Sequence, residues 1–544
     1  MNVRFHHLSA LLLGGVLCLA PVGLRAQDQG QTPNPDQTQN QNPGQDQGQN
    51  QGQDQNQDQS QGQNQNQDQN QNSGQAPGQS QTGQTPGADS GQNATSEPSL
   101  GLASENPPAE STAGESSSRV PVPLPLSLDA DSMRFSNEVQ ERNYLRGGVS
   151  LGATYDDNLL SGTSNRVGSA GYSILPNILF DQARSRLSWT LGYAGGFVAN
   201  QRYSAYNQAS HDVGLDVRYR VSPHVNFHLR DHYTITSNFF EQLQGSPITP
   251  GGGGTGTGTV QQPNPTVITP LAKHNDELGT AEITWQFSAG DMVGASSTFY
   301  DSRFRDIPAG AGTLLDTQTE EGDGFYTHRF SDRNWTGVAY KFQRLTFNPA
   351  TETVDTHSLF LFHTIYLKPR MAISVFAGPE YSTLNTQIIS TVVTLPYVSI
   401  TSVPTKEYRL SGAGGVSFSW QGQRTSASVS AARKVSDGGG LLSAVQLTGG
   451  TAEIRRQLTR TAAVSLGAVF GDNRVLDSGS DSGDLKSGSG SISFQQQIGR
   501  SFGASLGYAR DYENVKFGST LPENVNHNRG WVTLSYHFDR PLGR

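Results

Sequence analysis

The chain has 544 residues, 62 of them glycine, with one cysteine and a net charge of −9. A single cysteine excludes a disulfide framework. Eleven acids against Arg119 put −10 on residues 27–120, the first 26 residues carry +2, and residues 121–544 are left with −1, which excludes the basic surface that a nucleic-acid-binding protein needs.

Residues 1–26 have a basic start at Arg4, an apolar stretch from Leu8 to Leu24 and a small residue, Ala26, before a polar segment. That layout predicts a secretory signal peptide, removed near Gln27. Cys18 lies inside the apolar stretch and follows Leu17, where a lipoprotein signal would carry a small residue, so no lipid anchor is expected. From Gln37 to Gln71 every odd position is Gln except Pro43, and Pro/Ser/Gly-rich sequence continues to about Arg119. With almost nothing apolar to bury, residues 27–120 are expected to be a disordered tether spanning ~50–60 Å as a flexible coil. A periplasmic protein or the cell wall is its expected partner. Residues 121–145 read as a periplasmic lead-in.

Beyond residue 145 the dominant signal is period two. Val149, Leu151, Ala153 and Tyr155 alternate with Ser150, Gly152, Thr154 and Asp156; Val213, Leu215, Val217, Tyr219 and Val221 alternate with Gly214, Asp216, Arg218 and Arg220. Comparable rows recur at Leu187–Tyr193, Val225–Leu229, Ala281–Phe287, Val338–Phe342, Val464–Phe470, Phe502–Tyr508 and Val532–Phe538. Each is a strand with one apolar and one polar face. Tight connections such as Ser222-Pro223-His224, Lys368-Pro369-Arg370 and Arg500-Ser501 alternate with longer polar ones, of which 239–273 and 385–406 are the longest. The pattern predicts about 18 strands, with eight short turns and nine longer loops.

A soluble sandwich would bury the second face, and here that face is polar. The fold class expected is all-β: a transmembrane antiparallel β-barrel over residues 146–538, followed by a C-terminal extension, 539–544. Closure pairs every backbone edge, as hydrocarbon demands. An even strand count with short turns beside both termini then places the long loops outside the cell and the tail in the periplasm.

Asp156 and Asp157 end the first row. Neighbouring residues on a strand face opposite ways, so they mark the strand's exit into water rather than a metal site. His228 and His232 are four residues apart, or ~13 Å on a strand, which is too far to share one ion. They read as lumen-facing groups flanking Arg230. Gly251–Thr259 lacks the Gly-Lys-Ser/Thr ending of a phosphate loop and reads as a loop tip. No catalytic, metal or cofactor motif stands out, and no enzyme activity or cofactor is expected. The expected pore-lining residues are Asp216, Arg218, Arg220, His228, Arg230 and His232, a mainly cationic strip on two adjacent strands.

The first-strand motif Gly-Val-Ser-Leu-Gly-Ala-Thr-Tyr-Asp-Asp-Asn-Leu (148–159), with alternating strands leading to Tyr536-His537-Phe538, resembles the outer-membrane β-barrel porins of bacterial exopolysaccharide-biosynthesis loci. The resemblance covers about residues 145–538. It implies a Gram-negative outer-membrane location, contact with lipid, and a link to polysaccharide export or the passage of small solutes. Barrels of that kind end on the aromatic residue, whereas six residues follow Phe538 here. Two functions remain open: a channel, and a non-conducting surface barrel serving as anchor or adhesin with its lumen closed by side chains or by loop 239–273. Gly-, Ser- and Thr-rich inner rows such as Ser411, Ala413, Gly415, Ser417 and Ser419 would leave a wide lumen unfilled, which favours the channel.

Overall fold

The computed structural model describes residues 142–542, apart from 162–165, 205–206, 237–272, 306–313, 351, 395–396, 477–482 and 517–523. The signal peptide, the Gln-rich tail, most of the lead-in and the tip Gly251–Thr259 lie outside the described residues. The strands, in chain order, are β1 Arg142–Asp156, β2 Ser169–Ala183, β3 Leu187–Asn200, β4 Gln208–Ser222, β5 Val225–Thr236, β6 Lys273–Gln286, β7 Asp291–Arg305, β8 Asp316–Ser331, β9 Asn334–Asn348, β10 Glu352–Lys368, β11 Met371–Thr394, β12 Tyr397–Gln421, β13 Thr425–Gly438, β14 Leu442–Gln457, β15 Ala462–Val475, β16 Asp484–Ile498, β17 Phe502–Lys516 and β18 Asn524–Pro541.

Every strand pairs antiparallel with its sequence neighbour in one 18-stranded sheet. The sheet closes where β1 meets β18, in register from Tyr144↔Pro541 to Asp156↔Arg529. Among the described residues no helix is long and apolar enough to cross a membrane, and the barrel wall is the only element that could. Its outer rows carry the large side chains that alternation predicts, including Leu151, Phe197, Leu361, Leu466, Leu506 and Leu534, each at least 45 % exposed. An apolar surface of that extent has no place in water but suits hydrocarbon. Aromatic side chains also stand on the outer face: Tyr155 is exposed near the end of β1, Tyr381 stacks on Tyr408 at 6.3 Å between ring centroids, and the Tyr193 hydroxyl lies 3.1 Å from His211 Nδ1. Amphipathic rings with polar tips fit a membrane–water boundary.

All eight connections at the end near both termini are short, as expected; Gly499, at φ +69°, makes one of them a turn that a side chain would strain. Three features differ from the sequence reading. The segment 385–406 is not a loop, because β11 and β12 continue as a ribbon in register to Thr394↔Tyr397. Its density of Ile, Val and Thr favours extended pairing. The strands also overrun the expected limits: β1 begins in the lead-in, and β18 passes Phe538 as far as Pro541. The third difference is inside. The inward row is not uniformly polar, because Met292, Phe325, Trp335, Phe360, Phe362 and Tyr366 form a buried cluster on the lumen side of β7–β10. In β10 the run Leu359-Phe360-Leu361-Phe362 is apolar on both faces, so alternation carries no signal there.

Candidate channel lumen

The inner wall is divided. On β10 every second residue from Glu352 to Tyr366 points inward and is buried, and the same holds for Thr317–Thr327 on β8. Phe376 packs edge-on against Phe360, with centroids 5.5 Å apart, and Trp335 lies 5.7 Å from Tyr366. Ala413 on β12 belongs to this cluster, the Phe376 ring stands where a Cβ on Gly415 would be, and Ser417 and Ser419 in the same row are buried. The expectation that their row borders open space is therefore corrected: aromatic side chains from neighbouring strands fill it.

The β13–β14 hairpin fills the same side near the long-loop end. Pairing of β13 with β12 stops at Gly414↔Arg433, whereas β13 and β14 stay together to Gly438↔Leu442. Above that point residues 435–440 and 444–447 are buried without alternation, as in a hairpin folded into the lumen rather than lying in the wall. Val435 and Ala444 pack against Leu345, Phe347, Val354 and Leu384 from β9, β10 and β11. The tip reaches β7 and β8. Gly440 accepts a 2.8 Å hydrogen bond from the Leu315 N–H, and its φ of +84°, with the Phe304 ring where a Cβ would stand, leaves room for glycine alone.

Polar groups anchor the hairpin base. Glu380 accepts hydrogen bonds from Ser411 Oγ at 3.2 Å and from the Val435 N–H and Gln446 Nε2 at 3.4 Å each. Lys434, on the hairpin, lies in the combined field of Lys341, Glu321, Asp437 and Glu380, and Lys341 Nζ is 2.7 Å from Glu321 Oε1. Opposite charges brought together in a sheltered site hold their partners firmly, and loss of one partner is costly. No local motif marks this network, which joins six strands.

The other side of the wall is lined by small or polar groups. Ser489, Ser491, Ser493, Gln495 and Gln497 on β16 are inward and half-buried or exposed, and Ser465 and Gly467 on β15 continue the row. All six expected pore-lining residues face this lumen on β4 and β5. Asp216 is the hub: its carboxylate lies 2.9 Å from His228 Nε2 and 3.5 Å from both Arg218 Nε and Arg230 Nε. Arg220 occupies the next inward position toward the short turn. His232 pairs instead with Asp212 at 3.0 Å, and Glu282 on β6 lies 3.9 Å from His228. Asp212 and Glu282 were missed at the sequence level because their strands' pairing, rather than their spacing, brings them to the strip. His228 and His232 thus face different carboxylates, as their separation requires. Among the described residues no group of three or more His, Cys, Asp or Glu side chains could hold a metal ion.

No family model matches the sequence, and no curated protein matches it. Solved structures give weak likenesses. Pseudomonas aeruginosa OpdQ is 10% identical with a TM-score of 0.37, covering 73% of this chain and 99% of that one. The outer membrane protein OpdK of the same organism is 9% identical with a TM-score of 0.36, over 73% of this chain and 99% of that one. The ferric citrate transporter FecA, without ligand, is 9% identical with a TM-score of 0.39, over 73% of this chain and 64% of that one. Likeness at that level carries no functional inference.

Proposed function

We propose that this chain is a channel of the bacterial outer membrane, with its long loops outside and its Gln-rich tail in the periplasm. The observation that carries the reading is the division of the lumen: packing closes the β7–β14 side, while the Ser, Gly and Gln rows on β15 and β16 stay half-buried or exposed and Arg218, in the charged strip on β4 and β5, keeps 38% of its side chain exposed. Such a conduit offers hydroxyls, amides and compensated charges, which suits polar solutes of low net charge. Hydroxyl-rich solutes, including polysaccharide, belong to that class, and the resemblance to exopolysaccharide-locus barrels points the same way.

Single-channel recording of the refolded protein in a planar bilayer tests this. Stepwise conductance is the expected result. The inward hairpin and aromatic packing favour one other reading, a closed barrel that anchors or displays its loops. Complete absence of conductance from folded protein would make that the function.

A further inference from the structure

The segment after β1 carries Ser161 onto β18. Ser161 Oγ lies 3.2 Å from His527 Nε2, and the other ring nitrogen, Nδ1, lies 3.3 Å from Asp156 Oδ1. These three residues come from the two ends of the barrel sequence and meet only because β1 and β18 close the sheet.

The arrangement is held from several directions. The Asp156 carboxylate also accepts the Asn158 N–H at 2.8 Å, and Asn158 Nδ2 donates to the Asn526 carbonyl at 3.0 Å. Asp157, on the opposite face, accepts hydrogen bonds from both the backbone N–H and Nδ2 of Asn528, each at 2.7 Å. The segment is therefore clamped to β18 on either side of Asp156. His527 is 1% exposed and Asp156 7%, so neither can turn away, whereas Ser161 is partly open to solvent. Asp511, directly across from His527 on β17, is engaged by Arg529 at 2.8 Å and by Ser489 Oγ at 2.6 Å.

Ser161 has a φ of +53°, the one positive value among described non-glycine residues. A β-carbon disfavours that conformation, and glycine or asparagine would serve a simple turn better. Strained backbone of this kind persists where the surroundings impose it, and functional sites are common among such places. Here the Ser161 N–H is tied to the Asn158 carbonyl at 2.9 Å, which aims the hydroxyl at the ring.

We propose that Ser161, His527 and Asp156 form a serine-hydrolase site at the long-loop mouth of the lumen, acting on carboxylic esters. The order of contacts is hydroxyl, Nε2, Nδ1, carboxylate, in which the carboxylate holds the tautomer that leaves Nε2 free to take a proton. Ser161 Oγ bonds to the ester carbonyl carbon and gives its proton to Nε2. The carbon–alkoxy bond then breaks, and the departing oxygen takes that proton as an alcohol. Water next attacks the acyl-serine carbonyl and passes a proton to Nε2; the Oγ–carbon bond breaks, the proton returns to Oγ, and a carboxylic acid leaves. The balance is ester plus water to alcohol plus acid, with nothing oxidised or reduced. Because Asp156 and His527 stand on inward rows, the esters reached are those on molecules at the mouth of the barrel. The site does not require the barrel to conduct.

The test uses the full-length protein, refolded in detergent, with a fluorophosphonate probe and p-nitrophenyl butyrate. The expected result is one adduct, located at Ser161 by mass spectrometry, together with ester hydrolysis. Ser161→Ala should lose both, and His527→Gln should lower turnover at least about 10³-fold, the scale on which triad members act together. Heat-modifiable migration on a gel reports whether each variant is folded. If the folded native protein forms no adduct at Ser161, or Ser161→Ala hydrolyses the ester as fast as the native protein, the proposal is wrong and the contact only pins the segment to β18.

Discussion

Arg409 on β12 donates a 3.1 Å hydrogen bond from Nη1 to the carbonyl of Leu476, just beyond the end of β15. Two strands separate them in the wall, and both belong to the hairpin that leaves the wall at this height. The Leu476 N–H in turn donates to the Ala444 carbonyl on the hairpin at 3.0 Å. Arg409 and Leu476 therefore bridge the gap above the inward hairpin. Arg409→Ala should cost about 1 kcal/mol, the usual net worth of a partly exposed hydrogen bond. It should also raise the frequency of current substates in bilayer recordings. Unchanged open-channel noise would show that the bridge does not hold the hairpin.

Within the lumen, the hairpin's seat is apolar. Leu345 is 1% exposed and packs with Val435 and Ala444 across the barrel interior. Leu345→Ala removes buried methyl groups and leaves a cavity, which should destabilise the protein by about 2–4 kcal/mol. Urea titration of the refolded barrel measures this. A loss below about 0.5 kcal/mol would mean that the hairpin does not rest on Leu345 in solution.

The outer face makes a separate prediction. Leu534 pairs with Leu151 across the β1–β18 closure and is 48% exposed in the apolar belt. Arginine at this position should cost roughly 2–4 kcal/mol if it reaches hydrocarbon near the midplane, whereas Ser491→Arg, on the open side of the lumen, should cost little. Equal effects in folding titrations performed in lipid vesicles would mean that the faces are wrongly assigned.

Period-two rows made most of the wall readable, since one apolar and one polar face per strand already demand closure in a membrane. The rows at Val213–Val221 and Val532–Phe538 fall within β4 and β18. What stayed hidden depends on contacts between distant strands. Phe360 and Phe362 sit in a run that is apolar on both faces, so their inward direction has no local mark. The sequence of β13 gives no sign that its pairing with β12 stops at Arg433, so the inward turn of Val435–Val445 has no local mark either. Asp156 was readable as a strand exit, but His527 and Ser161 approach it only through barrel closure. The strip on β4 and β5 was readable as inward-facing, whereas its compensation by Asp212 and Glu282 needed the register.

The orientation proposed for the membrane rests on the even strand count and the short turns near the termini. Arg202, between β3 and β4, and His224, between β4 and β5, lie at opposite ends of β4 and are both exposed. With cysteine at Arg202, intact cells should react with an impermeant maleimide; with cysteine at His224, reaction should require a permeabilised outer membrane. The reverse pattern would invert the topology.

The charged strip gives the last prediction. Arg218, Arg220 and Arg230 face the lumen beside Asp216, while His232 is paired with Asp212 and His228 lies near both Asp216 and Glu282. Three arginines against three carboxylates leave little net field, so the native channel should discriminate weakly between anions and cations. Replacing the three arginines with glutamine removes the positive groups and leaves Asp212, Asp216 and Glu282 facing the solute. The variant should therefore favour cations, because rings and strips of charge act on ions by Coulomb attraction at short range. Salt screens that attraction over about 10 Å at 0.1 M and about 3 Å at 1 M, so the preference should be visible in dilute salt and fade in concentrated salt. Reversal potentials under a KCl gradient measure it. A variant with the same reversal potential as the native channel at low salt would show that the permeating ions do not pass along β4 and β5.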